Sequence, residues 1–69
     1  GMVDRLAARL KDQPHNAEGW VRLMRARLVL GDPAAAAGAY HAALAAFRGS
    51  PTDQTALRTS AREMGVPGA

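Results

Sequence analysis

Cysteine is absent from the 69 residues. No disulfide, thiolate nucleophile or thiolate ligand is therefore available, and the lack leaves the redox compartment open. Aromatic residues are almost missing too: one Trp, one Tyr and one Phe. No apolar run approaches the roughly 18 residues of a membrane span. No basic start followed by an apolar stretch marks a secretory signal. No glycine-rich phosphate loop and no Ser/His/Asp constellation is present. Without these parts the chain reads as a non-enzyme, with no catalytic residue, no cofactor and no metal site. The carboxylates Asp4, Asp12, Glu18, Asp32, Asp53 and Glu63 fall mostly at helix starts or on polar faces, where capping explains them. His15 in a turn and His41 on an outer helix face read as surface histidines.

Nine Lys and Arg residues against six acids give a net charge of +3 and a pI near 10.7. Eight of the nine cations are arginines spread over several segments, so the excess reads as a solvated surface and not as a nucleic-acid stripe. The length allows one domain, residues 1–69, or a fragment of one. A chain this short buries only about 60% of its unfolded surface, so its stability margin is thin. Gly1 before Met2 resembles the scar of tag removal, and the expectation is a segment cut from a longer protein.

What is present is helix signal. Val3, Leu6, Ala7 and Leu10 share one face of a first helix over residues 2–13, which Pro14 stops. Asn16 caps a second helix over 17–30, with Glu18 in its first turn and Gly31 as its stop. Asp32 and Pro33 start a third over 33–48 after only a tight turn, so helices two and three form an antiparallel hairpin. Its run "PAAAAGAYHAALAAF" has high helix propensity, weakened at Gly38 by about 1 kcal/mol. Ser50 caps a fourth helix over 51–64, with Pro51 first and Asp53 in the opening turn. Leu57, Ala61 and Met64 form its thin apolar stripe, Gly65 ends it, and residues 65–69 make a frayed tail. The fold class is all-α, about four helices in stacked antiparallel hairpins.

The spacing around the only tryptophan is the most specific signal. In "PHNAEGWVRLMRARLVLGDP", residues 14–33, Trp20 precedes Leu23 by three and Ala36 by sixteen. The tetratricopeptide repeat, roughly 34 residues long, carries Trp-x2-Leu-Gly-x2-Tyr, then Ala-x3-Phe, then Pro. Residues 17–50 resemble one such unit, with Trp20, Leu23, Ala36, Tyr40, Ala43 and Leu44 in register. Met2, Leu6, Leu10 and Pro14 resemble the second half of a preceding unit, and residues from 51 the first half of a following one. Departures are Met24 and Arg27 in place of the small residue and the tyrosine. Arg48 stands where the closing proline belongs, and Gln54 and Arg58 occupy positions that are apolar or small in the repeat. The core expected from this register is Leu6, Leu10, Trp20, Leu23, Met24, Ala36, Tyr40, Ala43, Leu44, Phe47 and Leu57.

In stacks of this kind the first helix of each pair lines a concave groove. The second helix then offers Glu18, Val21, Arg22, Arg25, Leu28 and Val29 to a peptide: aliphatics for its apolar side, arginines for its carboxylates. Thr55, Thr59 and Arg62 of the fourth helix flank the same groove. The competing reading makes Arg22 and Arg25 ordinary solvated surface.

The stretch "MVDRLAARLKDQPHNAEGWVRLMRARLVLGD", followed by "TALRTSAREMGV", is similar to the repeat domain of the CcmI/CycH family of cytochrome c-type biogenesis proteins. The resemblance covers nearly the whole chain and is densest over residues 2–32. It implies a membrane-anchored bacterial parent whose repeat domain lies on the periplasmic side of the inner membrane. It also implies a holding role for apocytochrome c, engaged by its C-terminal helix and presented to the haem-ligation machinery. Membrane attachment would come through segments outside this sequence. The alternative is a generic repeat scaffold or self-association module, in which the first helix, lacking a hairpin partner, leaves apolar surface for a homodimer.

Overall fold

The computed structural model describes all 69 residues. They form four α-helices and no strand: α1 (Met2–Asp12), α2 (Ala17–Val29), α3 (Pro33–Ala46) and α4 (Pro51–Met64). Three helices end one or two residues earlier than the sequence pattern suggests. Gln13 and Leu30 donate their backbone N–H back into α1 and α2 as terminal residues, and α3 gives way to a turn over residues 47–49. The last turn of a helix has no onward carbonyl partners, so its boundary answers to tertiary contacts as much as to propensity.

Local chemistry sets the starts. The Asn16 side chain accepts from the Gly19 N–H at 3.0 Å, and that of Asp32 from the Ala35 N–H at 3.0 Å. Each satisfies one of the donors a helix N-terminus leaves free. Ser50 behaves otherwise. Its hydroxyl accepts no backbone N–H and instead donates to the Asp53 carboxylate at 2.6 Å, which corrects its expected role as a capping acceptor.

The ends of α2 and α4 share one device. Gly31 (φ 76°) and Gly65 (φ 82°) adopt left-handed conformations, which a residue with a Cβ enters at a cost. Beyond them, Asp32 N–H reaches Arg27 O at 2.9 Å and Val66 N–H reaches Ala61 O at 2.9 Å. These are the long closing bonds of a Schellman motif. Asp32 thus closes α2 with its backbone and opens α3 with its carboxylate.

α2 is the hub. It packs on α1, α3 and α4, whereas α1 touches α2 alone, and α3 also meets α4. α2 and α3, joined by three residues, pack most extensively and are antiparallel by the shortness of the connection. The molecule is 15 Å across its thin dimension, room for no more than two helix layers. Every helix therefore keeps a solvent face.

The core holds Leu10, Trp20, Leu23, Met24, Ala36, Ala39, Tyr40, Ala43, Phe47, Leu57, Ala61 and Val66, and no polar side chain is buried. The small stripe Ala36, Ala39 and Ala43 lets α3 lie close to α2, with Tyr40 and Phe47 filling the space above and below. Two residues expected in this core are only half-buried. Leu6 is partly open because α1 has a single neighbour, and Leu44 sits at the edge of the α3 seam, one residue round from Ala43. Val66, expected in a frayed tail, is 4% exposed, because the turn at Gly65 folds it back over Ala61.

Three contacts have no counterpart in the sequence pattern. The Trp20 indole N–H donates to the Pro14 carbonyl at 2.8 Å. Gly19 is buried so closely against α1 that a Cβ there would stand 2.8 Å from Leu10 Cδ2. Gln54, at a position where the repeat pattern wants a small or apolar side chain, donates its Nε2 to Leu44 O at 3.0 Å. It satisfies one of the carbonyls that the end of α3 leaves free.

Candidate functional site

The outer face of α2 is built by elimination. Gly19, Trp20, Leu23 and Met24 turn inward. At 3.6 residues per turn the opposite side must carry Glu18, Arg22, Arg25 and Val29, and all four are exposed, Val29 at 80%. Val21 and Leu28 are half-buried along one flank. Glu18 and Arg22 form an i, i+4 pair at 3.5 Å, with 80% and 69% of their side chains in solvent. Such a pair contributes a few tenths of a kcal/mol and is readily given up to a ligand. Arg25 has no ion-pair partner.

Thr55, Thr59 and Arg62 are exposed on α4, the helix lying alongside α2. No hydrogen bond or ion pair joins any of the three to α2. The residues from Glu18 to Val29 and Thr55 to Arg62 are therefore open surface carrying two unpaired cations, Arg25 and Arg62, and one exposed aliphatic, Val29. It has no buried carboxylate.

The clefts of the molecule meet this face only at Glu18 and Arg22. Two lie at the seam of α1 and α2 and the third is lined by α1 alone, and none includes Val21, Arg25, Leu28, Val29, Thr55, Thr59 or Arg62. Leu6 lines every one of them. Periodicity could have found this seam only in part: Leu6 and Val3 are legible as apolar positions of α1, but the openness of the seam depends on α1 having no second neighbour.

Arg27 occupies the place of the repeat's tyrosine. Its side chain is 26% exposed and reaches Asp4 at 4.0 Å, so it links α2 to α1 and stays out of the exposed face. His15 packs edge-on against Phe47, ring centroids 5.8 Å apart, which ties the α1–α2 turn to the end of α3.

Two curated proteins match this chain. The "Cytochrome c-type biogenesis protein CycH" of Rhizobium meliloti is 46% identical over 66 residues, 96% of this chain and 17% of the relative. The protein of the same name from Bradyrhizobium diazoefficiens is 59% identical over 39 residues, 56% of this chain and 11% of the relative. This chain is a homologue of CycH. The CycH match takes in all four helices and both closing turns with the first relative, yet the chain spans under a fifth of either relative's length. No family model matches the chain and no solved structure does. No helix is long and apolar enough to cross a membrane.

Proposed function

We propose that this chain is a non-enzymatic, protein-binding module of c-type cytochrome maturation, built on tetratricopeptide-like hairpins. In this reading it holds apocytochrome c by its C-terminal helix and presents it to the haem-ligation machinery. The parent protein is placed on the periplasmic side of a bacterial inner membrane. The observation that carries the proposal is the CycH homology across 96% of the chain. The exposed face of α2 supports it chemically. An amphipathic helix could set its apolar ridge against Val21, Leu28 and Val29 and its carboxylates against Arg22 and Arg25.

The test is a calorimetric titration of the domain with a peptide copying the C-terminal helix of an apocytochrome c. Arg25→Glu and Val29→Asp change exposed side chains, so the fold should survive them, as circular dichroism would verify. Binding weakened about tenfold or more by either change supports the proposal, since a charge-assisted contact or a buried aliphatic is worth about 1.5–3 kcal/mol. Peptide binding that both variants leave untouched would remove the α2 face from it. No binding by the unaltered domain at millimolar peptide would remove apocytochrome c as the ligand.

A further inference from the structure

Four exposed side chains of α2 fall on one line. Glu18, Arg22, Arg25 and Val29 stand four, three and four residues apart, spacings that keep helical side chains on one face. The line is about 16 Å long and lies opposite the inward residues Gly19, Trp20, Leu23 and Met24. α1, α3 and α4 occupy other sides of the helix. Along the line the chemistry runs anion, cation, cation, aliphatic. Its one internal ion pair is the exposed Glu18–Arg22 contact at 3.5 Å, and Arg25 has no ion-pair partner. The intervals four, three and four read the same from either end. Spacing alone therefore gives the line no direction; only its two ends differ.

We propose, resting on the α2 face assigned above as the ligand surface, that this line fixes both the register and the direction of a bound helix. The ligand class it takes is a helix carrying a base, two carboxylates and an aliphatic at j, j+4, j+7 and j+11, or the same series reversed. The arginines set the register. Carboxylates at j+4 and j+7 reach Arg22 and Arg25 whichever way the ligand runs. The ends set the direction. One way round, the ligand's base meets Glu18 and its aliphatic meets Val29. The other way round, the base lies on Val29 and the aliphatic on Glu18, so charges lose water with nothing in return. A base-first helix therefore runs parallel to α2, and an aliphatic-first helix runs antiparallel. Charge pairs beside a helical seam set orientation in coiled coils by the same logic. Binding strands no charge: Arg22 leaves Glu18 for a ligand carboxylate, and the ligand's base takes its place at Glu18. A second copy of the chain does not fit. Laid antiparallel, two such lines set Arg22 of one against Arg25 of the other; laid parallel, they oppose like charges at every charged position.

The probes are three capped alanine-based peptides of one composition, about four turns long, each with a nitroxide at its N-terminus. The first carries Lys, Glu, Glu and Leu at j, j+4, j+7 and j+11, and the second carries the reverse order. The third has both Glu residues moved by two positions, which turns them to the far side of the peptide helix. At low salt the first peptide should broaden amides at the start of α2, around Ala17 and Gly19. The second should broaden those at its end, around Val29 and Gly31. The third should bind about fivefold more weakly or worse. Glu18→Val makes the two ends alike and should abolish the difference between the first two peptides. Arg25→Glu should weaken both about tenfold, and a peptide with Lys in place of the facing Glu should recover the loss. Both variants change exposed side chains, so the fold should survive them, as circular dichroism would verify. Broadening at the same end of α2 by the first two peptides would overturn the proposal. So would equal binding of the third, a directional preference that survives Glu18→Val, or no binding of any of them. The cytochrome-peptide titration is read separately. A cytochrome peptide that binds through Arg25 and Val29, with no direction among the designed peptides, removes the charge-order inference alone. Ordered binding of the designed peptides with no cytochrome binding removes apocytochrome c alone.

Discussion

The indole N–H of Trp20 donates to the backbone carbonyl of Pro14, six residues earlier, at 2.8 Å. The only tryptophan of the chain therefore does two things. Its rings fill the space between α2 and the rest of the core, and its one polar atom holds the turn that joins α1 to α2.

Separating these roles gives the first prediction. Trp20→Phe keeps an aromatic ring but abandons the Pro14 carbonyl and some volume, and should cost about 1–2 kcal/mol. Trp20→Ala should cost about 3 kcal/mol or more, close to the whole stability of a domain this small. Urea denaturation followed by circular dichroism ranks the two. Equal midpoints for Trp20→Phe and the parent would show that the hydrogen bond stabilises nothing.

Two glycines within helices, Gly19 in the first turn of α2 and Gly38 inside α3, should respond in opposite directions to alanine. At Gly38 an added Cβ meets open space, so Gly38→Ala should stabilise by about 0.5–1 kcal/mol through helix propensity and a less disordered unfolded chain. At Gly19 the Cβ would fall 2.8 Å from Leu10 Cδ2 and 2.9 Å from the Asn16 amide nitrogen, and Gly19→Ala should destabilise by about 1–3 kcal/mol. Thermal melts of the two variants check the signs. A stabilised Gly19→Ala would mean that α1 is not seated against α2 as described.

Gln54 bridges α4 to the end of α3 through Leu44 O. Gln54→Ala should cost about 0.5–1.5 kcal/mol. Amide exchange should quicken in the last turn of α3, at Phe47 and Arg48, whose N–H groups bond to Ala43 O and Ala45 O. Exchange rates unchanged in that turn would assign the loss, if any, to α4 alone.

The C-terminal turn is structural. Truncation after Gly65 removes the buried Val66 side chain and the Val66 N–H bond to Ala61 O. About 1–3 kcal/mol should go with them, whereas truncation after Val66 should cost less. Gly65→Ala should cost about 1 kcal/mol by forcing a Cβ into a left-handed conformation. Denaturation midpoints of the two truncations, compared directly, decide whether Val66 is the anchor.

Much of the architecture is legible in the chain because its signals act within four residues. Asn16, Asp32, Pro33 and Pro51 start helices through bonds or ring constraints reaching no further than the next turn. Gly31 and Gly65 stop them by a single φ angle. The indole of Trp20 and the alanines of α3 follow from period alone, since one face of a helix must be apolar if it is to be buried. Of the candidate surface, the exposure of Glu18, Arg22, Arg25 and Val29 follows from the same period once the inward face is known.

Packing decided the rest. Gln54 looks out of place until α4 lies beside the end of α3 and a free carbonyl lies within reach. Gly19 looks neutral until Leu10 arrives from across a turn, and Val66 looks like tail until the reversal at Gly65 lays it on Ala61. Leu6 has the spacing of a core residue yet stays half-open, because burial is set by how many neighbours a helix has, and α1 has one. Period and caps are properties of a helix taken alone. Which faces meet is settled only when all four helices compete for the same apolar surface of α2.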